Sequence, residues 1–322
     1  MPMIARLILR AMLFTLAMIA APQVQAACTR TPATTTTFAP ASSYDIRAGS
    51  VATVAAPSSF GCSGTAIVIL SSNNATATVN STNNFTLRNA AGDAIAYRLS
   101  ADSAGTKAFT QGGSINYFDP ALLALLGILN GGNFTPTMYA AITNTPNISA
   151  GTYTDTITVN WNWNVCHLLN VAGLLCLIGE SGSGTTVMTV TLTVGKDCRI
   201  SAPNLSFNSA PLASQFASVT QSVAVDCTKD ATYSVAFTNG NSGSARPWRA
   251  MSDGAGHGLQ YNIYQADGVT IWDQTSALPG GLPGTGALVP AQMQVYVARV
   301  NPAQATPPAG RYTDTVSVVI TF

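Results

Sequence analysis

Two stretches of the chain alternate apolar and polar residues at every second position. The first, residues 150–163, opens with Ala150-Gly151 and carries Tyr153, Asp155, Ile157, Val159, Trp161 and Trp163 on one side. The second, residues 309–322, opens with Ala309-Gly310 and carries Tyr312, Asp314, Val316, Val318, Ile320 and Phe322 in the same places. A period of two puts successive side chains on opposite faces of an extended chain, so each stretch predicts a β-strand with one buried face. A phrase this long, repeated a domain apart, predicts two homologous β-domains in tandem.

Residues 185–194 also alternate, with Met188, Val190, Leu192 and Val194 set against threonines. They follow the first copy and predict a strand that closes the first domain. Nothing equivalent follows Phe322, so the second domain is expected to be one strand short, with an open edge and a groove along Val316, Val318, Ile320 and Phe322. Filling that groove with four or five apolar side chains would contribute roughly 6–15 kcal/mol, as much as the net stability of about 5–15 kcal/mol of a whole domain. A strand supplied by another protein is the expected remedy. Shorter strands are predicted at 66–70, 75–79, 94–99 and 138–142, and no stretch shows sustained helical periodicity capped at both ends. Gly92-Asp93-Ala94-Ile95-Ala96-Tyr97-Arg98-Leu99 also resembles Gly256-His257-Gly258-Leu259-Gln260-Tyr261-Asn262-Ile263. The expected fold is all-β: two tandem immunoglobulin-like antiparallel sandwiches, 27–195 and 196–322, the second lacking its last strand.

The amino terminus changes the setting. Arg6 and Arg10 flank an apolar run through Leu13, Phe14, Leu16, Met18 and Ile19, and Val24-Gln25-Ala26 follows, which predicts a secretory signal over 1–26. Six cysteines in an exported chain predict disulfides. Cys28–Cys62 and Cys198–Cys227 are paired because each pair opens a domain at similar spacing, and Cys166–Cys176 because both lie in one loop. Each closure is worth roughly 2.5–4 kcal/mol in the chain-entropy picture.

Charged residues make up 8% of the sequence, and without Arg6 and Arg10 acidic and basic side chains nearly balance. Nucleic acid is thereby disfavoured as a partner, and electrostatic steering as a mode of binding. No metal or other cofactor is expected: there is no C-x-x-C, and His167 beside Cys166 has no further ligands at zinc spacing. His167, His257 and the single glutamate, Glu180, leave little for acid–base work, so no catalytic residues and no enzyme are expected. Asp155 and Asp314, at equal places in the repeat, read as structural.

Two apolar stretches stand out. Residues 120–133 hold Leu122, Leu123, Leu125, Leu126, Ile128 and Leu129, and residues 165–179 hold Leu168, Leu169, Val171, Leu174, Leu175, Leu177 and Ile178. Neither reaches the roughly 18–20 residues of a membrane span. At ~3.3 Å per residue the strand over 152–165 would run ~46 Å, against ~17–20 Å for an ordinary strand. That length sets Trp161 and Trp163 near or beyond the sandwich edge and projects the next loop as a finger pinned by Cys166 and Cys176. The competing reading makes both stretches core, as short helices under a sheet. The matching second-domain loop Pro279-Gly280-Gly281-Leu282-Pro283-Gly284 is short and not leucine-rich, so the fold does not require the insertions, and the leucines are expected to be surface-binding.

Cys198 and Cys227, the run Tyr261-Asn262-Ile263-Tyr264 and the closing Pro308-Ala309-Gly310-Arg311-Tyr312-Thr313-Asp314-Thr315-Val316 resemble the spore coat protein U domain, found in pilins of archaic chaperone-usher pili. The two-domain arrangement is similar to the tip adhesins of such pili. The resemblance implies a periplasmic chaperone, an outer-membrane usher and a next pilin subunit as partners, the last by donor-strand insertion. It also implies apolar finger loops that attach to hydrophobic, abiotic surfaces and promote biofilm. Pilins of that family carry an alternating donor segment before their first cysteine. Mature residues here are expected to begin one position before Cys28, so the chain is expected to accept a strand and offer none, and to reach the cell surface at the pilus tip. The competing expectation is a non-adhesive minor pilin or a spore-coat-like structural protein.

Overall fold

The structure, a computed structural model, describes residues 27–63, 72–126, 129–130, 133–169 and 175–322, and the backbone alone of residues 125, 126, 129, 130, 168 and 169. The expected leader 1–26 and the strand expected at 66–70 lie outside the described residues.

Strand β1 (Ala27–Arg30) pairs antiparallel with Phe60–Ser63, and Cys28 is joined to Cys62 across that pair. Strand β2 (Ala33–Thr37) follows, and then helix α1 (Ser43–Ala48). The Ser42 hydroxyl accepts from the Asp45 N–H, the Asp45 carboxylate accepts from the Ser42 N–H, and Gly49 ends the helix at φ 66°, a conformation that favours glycine. Strands β3 (Asn74–Ser81) and β4 (Ala94–Ser100) bury alternate residues, as their sequence alternation requires. Helix α2 (Pro120–Leu126) leads to Thr137–Ile142, and then come the two longest strands, β5 (Gly151–Leu169) and β6 (Cys176–Gly195).

These two pair antiparallel from Gly151↔Val194 out to Leu169↔Cys176. On its other edge β5 takes β3, from Ile157↔Ser81 to Asn164↔Asn74, and β6 takes β2 in parallel, from Val187↔Ala33 to Thr191↔Thr37. Val79, Leu87, Ile95, Leu99, Ile157 and Val190 make the centre of this core.

Two expectations are corrected here. Trp161 and Trp163 are core residues, not edge residues: Trp161 stacks on Phe60 with ring centroids 4.5 Å apart, and Trp163 lies 5.1 Å from the same ring. The cause is a small second sheet of β1, Phe60–Ser63, Asn133–Phe134 and Leu129–Asn130, which brings Phe60 and Phe134 to this end of the sandwich. Leu122, expected to be surface-binding, is wholly buried in the same core, and Leu123 is half-buried against it, because α2 packs its apolar side inward.

The second half is built from β7 (Cys198–Ser201), β8 (Val219–Cys227), β9 (Ser234–Phe237), β10 (Gly258–Gln265), β11 (Gln292–Val300) and β12 (Val318–Thr321). One sheet runs β7-β8-β11-β10 and ends on Arg249–Ser252; the other runs Leu278–Pro279, β9, β12. Phe237, Trp272 and Tyr296 meet edge to face at 4.9, 5.2 and 6.5 Å between them, a preferred aromatic geometry. The Trp272 indole N–H donates to the Val235 carbonyl at 2.8 Å. The protein is therefore all-β, two immunoglobulin-like antiparallel sandwiches in tandem.

Helix α1 lies where the two sandwiches meet. The Ser43 and Thr228 hydroxyls share a hydrogen bond of 2.8 Å, the Tyr44 hydroxyl donates to the Asp226 carbonyl at 3.1 Å, and the Arg199 guanidinium sits 4.7 Å above the Tyr44 ring. Nearby, the Lys229 ammonium stands 2.6 Å from Asp93. Partial burial pushes the Asp93 carboxyl up, but hydrogen bonds from Lys229 and Ser149 outweigh it and hold the group below its usual range. A carboxylate depressed in the fold contributes stability that is complete above its unfolded pKa and is lost as pH falls through its folded pKa. Asp93→Asn is expected to cost about 1 kcal/mol at neutral pH and to flatten the acid limb of thermal unfolding measured from pH 7 to pH 2. An unchanged acid limb would show that this contact does not couple to folding.

Candidate functional site

β5 has 19 residues and β6 has 20, so the ribbon spans ~63 Å at ~3.3 Å per residue. Its flanking strands stop earlier, at Asn164 on β5 and Val187 on β6. The outer part therefore extends beyond its strand neighbours among the described residues, and Cys166–Cys176 ties it together. Leu175, Leu177 and Ile178 are 66%, 61% and 52% exposed there. Leu168 and Leu169 belong to β5 by backbone, while Val171 and Leu174 lie outside the described residues. In the other apolar stretch, Leu125 and Leu126 are in α2 and Leu129 is in a two-residue strand, again by backbone; Ile128 lies outside the described residues.

The ribbon depends on glycines that sequence reasoning passed over. A Cβ at Gly182 would collide with the Trp163 indole paired to it, and one at Gly184 with the Arg30 side chain. The run Ser181-Gly182-Ser183-Gly184 lets both large groups lie flat on β6. Near the same place Cys28, His167 and Glu180 bring potential ligand atoms within 4.8 Å of one another. Cys28 is in a disulfide, and two remaining ligands are fewer than a zinc site needs.

The second feature is a contrast between the sandwiches. In the first, β6 lies between β5 and β2, and its Met188, Val190, Leu192 and Val194 are buried. In the second, the repeated motif forms one bridge, Thr313 to Ser252, and the four-residue β12, which pairs with β9 alone among the described residues. Tyr312, Val316, Val318 and Ile320 are half-buried, whereas Tyr153, Ile157, Val159 and Trp161 in the first copy are buried. Phe322 is 53% exposed, with the Lys196 ammonium 5.5 Å above its ring. Leu205 and Phe207, as far from Cys198 as Thr35 and Thr37 of β2 are from Cys28, are half-buried against the same core but join no strand.

The rest of the motif is anchored alike in both copies. Asp155 accepts from the Tyr97 hydroxyl at 2.8 Å, the Ser81 hydroxyl at 2.5 Å and the Asn83 N–H at 3.0 Å. Asp314 accepts from the Tyr261 hydroxyl at 2.6 Å and the Asn241 N–H at 2.7 Å. Burial, with the neighbouring carboxylate, pushes both phenols well above their ordinary range, so each stays a hydrogen-bond donor.

The spore coat protein U domain matches the chain twice, over residues 14–160 and 184–319. The chain belongs to that family. The first spore coat protein U match stops inside β5, and the second opens inside β6, so the strand that completes the first sandwich heads the second match. No curated protein matches the chain. Among solved structures, it is similar to a chain of the CsuC–CsuE chaperone–tip adhesion subunit pre-assembly complex from archaic chaperone-usher Csu pili of Acinetobacter baumannii. That likeness has a TM-score of 0.62 at 20% identity and covers 92% of this chain and 100% of that one, which shows a shared fold. CfaE, the adhesive subunit of CFA/I fimbria of enterotoxigenic Escherichia coli, matches at 10% identity and a TM-score of 0.34, over 91% of this chain and 93% of that one. The CupB6 tip adhesin from Pseudomonas aeruginosa matches at 14% identity and 0.29, over 83% and 86%. Scores that low add nothing about the fold.

The aspartate anchors of the two spore coat protein U copies are separable by stability. Asp155 is 2% exposed, and Asp155→Ala strands three donors in a buried site, so it should cost about 3–5 kcal/mol in urea unfolding. Asp314→Ala, at a half-exposed residue, should cost about 1 kcal/mol. Equal costs would mean that the two anchors are equally enclosed.

Proposed function

We propose that the protein is the adhesive tip subunit of an archaic chaperone-usher pilus. Residues 27–195 form the tip domain and residues 196–322 the pilin domain. The observation that carries this reading is the contrast between the two closing motifs. β5 is complete, enclosed by β6 and β3, whereas the equivalent segment before Phe322 has one short ladder and a row of half-buried apolar side chains. A row of this kind accepts an extended strand with alternating apolar residues. The periplasmic chaperone supplies that strand first and the next pilin subunit replaces it as the usher assembles the fibre. Three disulfides suit export through an oxidising periplasm to the cell surface.

The finger gives the tip its task. Leu175, Leu177 and Ile178 stand exposed at the cystine-pinned end of the ribbon, and each is worth roughly 1.5–3 kcal/mol when withdrawn from water. One tip therefore holds a hydrophobic surface weakly, and an array of tips holds it firmly enough to seed a biofilm. A non-adhesive structural subunit is the second reading; the burial of Leu122, with Leu123 half-buried beside it, favours it for the α2 stretch but does not bear on the ribbon. The triple variant Leu175→Asp, Leu177→Asp, Ile178→Asp is expected to reduce bacterial attachment to polystyrene at least about tenfold, with pili still assembled by electron microscopy. Full attachment by pili carrying this variant would overturn the adhesive reading.

A further inference from the structure

The three disulfides differ in what surrounds their sulfurs. Cys62 and Cys227 are core residues, and Cys28 and Cys198 pack half-buried against the same two cores. Each of these bridges joins residues that face each other in a ladder, Cys28↔Cys62 and Cys198↔Cys227, so the neighbouring backbone bonds hold the same two strands together. Cys166–Cys176 is built otherwise. Cys166 is buried, but Cys176 is exposed, alone among the six cysteines. The two do not face each other: Cys166 stands opposite Gly179 and Cys176 opposite Leu169, and the register shifts twice between Cys166 and Leu169. Gly179 lies beside the exposed sulfur. A Cβ there would come within 3.3 Å of the Cys176 Sγ, so glycine leaves that side of the sulfur bare.

We propose that the Cys166–Cys176 bridge is a thiol-exchange site, opened by an external dithiol that attacks the Cys176 sulfur, and that its opening frees the finger. Access and the choice of sulfur decide which disulfide exchanges, and here both single out Cys176. A thiolate of the dithiol bonds to Sγ of Cys176 while the S–S bond to Cys166 breaks, and Cys166 leaves as a thiolate that takes a proton from water. The second thiolate of the dithiol then bonds to the first sulfur of its own molecule, and Cys176 leaves in turn. Two electrons pass from the dithiol to the bridge. The dithiol ends as a cyclic disulfide and the protein with two thiols.

Opening this bridge acts on the outer end of the ribbon alone. Outward of Asn164 on β5 and Val187 on β6, the two strands pair only with each other among the described residues. The base of that stretch has further ties: the Cys28 N–H donates to the Glu180 carboxylate at 2.8 Å, and the Arg30 guanidinium to the Thr185 carbonyl at 2.9 Å. From Cys166 outward the bridge is the covalent tie across an irregular ladder, and a closed loop has fewer open conformations to visit than an unlinked one. Once it is open, Leu175, Leu177 and Ile178 keep their side chains but lose their fixed arrangement. The exchange does not depend on what the finger binds, but its use, the release of the tip from a surface, rests on the tip reading above.

Stepwise reduction tests the site. Residues 27–322 are treated with increasing dithiothreitol, free thiols are capped with iodoacetamide, and the capped cysteines are identified by peptide mass spectrometry. Cys166 and Cys176 should be capped while Cys28, Cys62, Cys198 and Cys227 are still bridged. Amide exchange of the protein reduced to that point should speed up over 166–169 and 175–179, with the ribbon base unchanged. Gly179→Val, which fills the bare side of the sulfur, should slow the opening about tenfold. Another bridge opening first or at the same dithiothreitol concentration would overturn the proposal, as would unchanged amide exchange in the singly opened protein or a Gly179→Val bridge that opens as fast as the original. If that variant does not fold, the order of capping and the amide exchange of the unsubstituted chain decide. The adhesive reading fails separately, through attachment to polystyrene without reductant, and leaves the order of capping untouched.

Discussion

An extended chain that buries one face still has two edges of N–H and C=O groups, and both need partners. β5 has them on each side: β6 along its length, and β3 with Thr86–Arg88 opposite. The same phrase near the end of the chain has β9 on one side and, among the described residues, no strand on the other. The difference between the two copies reaches beyond their ladders. Only four residues of the second copy lie in a strand, whereas the first copy lies from Gly151 onward within the nineteen-residue β5, and the inward side chains of the second are half-buried where those of the first are enclosed.

The scale of the difference follows from Met188, Val190, Leu192 and Val194, all buried in the first core. Each is worth roughly 1.5–3 kcal/mol on burial, so one strand carries as much free energy as the net stability of about 5–15 kcal/mol of a domain. The second sandwich keeps its own aromatic centre of Phe237, Trp272 and Tyr296. Its contacts to α1, Tyr44 and Asp93 tie it to the completed half.

Much of this was legible in the sequence, because a period of two is a local signal. The strands at 75–79, 94–99, 138–142 and 185–194 read directly from alternation and lie within Asn74–Ser81, Ala94–Ser100, Thr137–Ile142 and Cys176–Gly195. What failed was non-local. Trp161 and Trp163 are enclosed by Phe60 and Phe134, far away in the sequence, which counting along one strand cannot place. Helix α1 escaped because it has only six residues and is set by Ser42 and Asp45 at one end and Gly49 at the other, not by an apolar period. Leucine spacing in 120–133 could not tell a packed helix from an exposed loop, and Leu122 proved to be core. The meeting of His167 with Glu180 was not legible either: setting Cys166 opposite Cys176 would place Glu180 opposite Asn162, whereas the ribbon pairs Cys166 with Gly179 and Val165 with Glu180, with register shifts beyond Cys166.

The most direct measurement supplies a strand to the second sandwich. Residues 27–322 are extended after Phe322 by a short Gly/Ser linker and a second copy of residues 185–194, and their calorimetric unfolding is compared with that of the unextended chain. If the second sandwich is incomplete, its transition should rise by about 15 °C or more, with that of the first unmoved. The same extension with serines in place of Met188, Val190, Leu192 and Val194 in the copy should give no rise. A second-sandwich transition unchanged by the added strand would contradict the account.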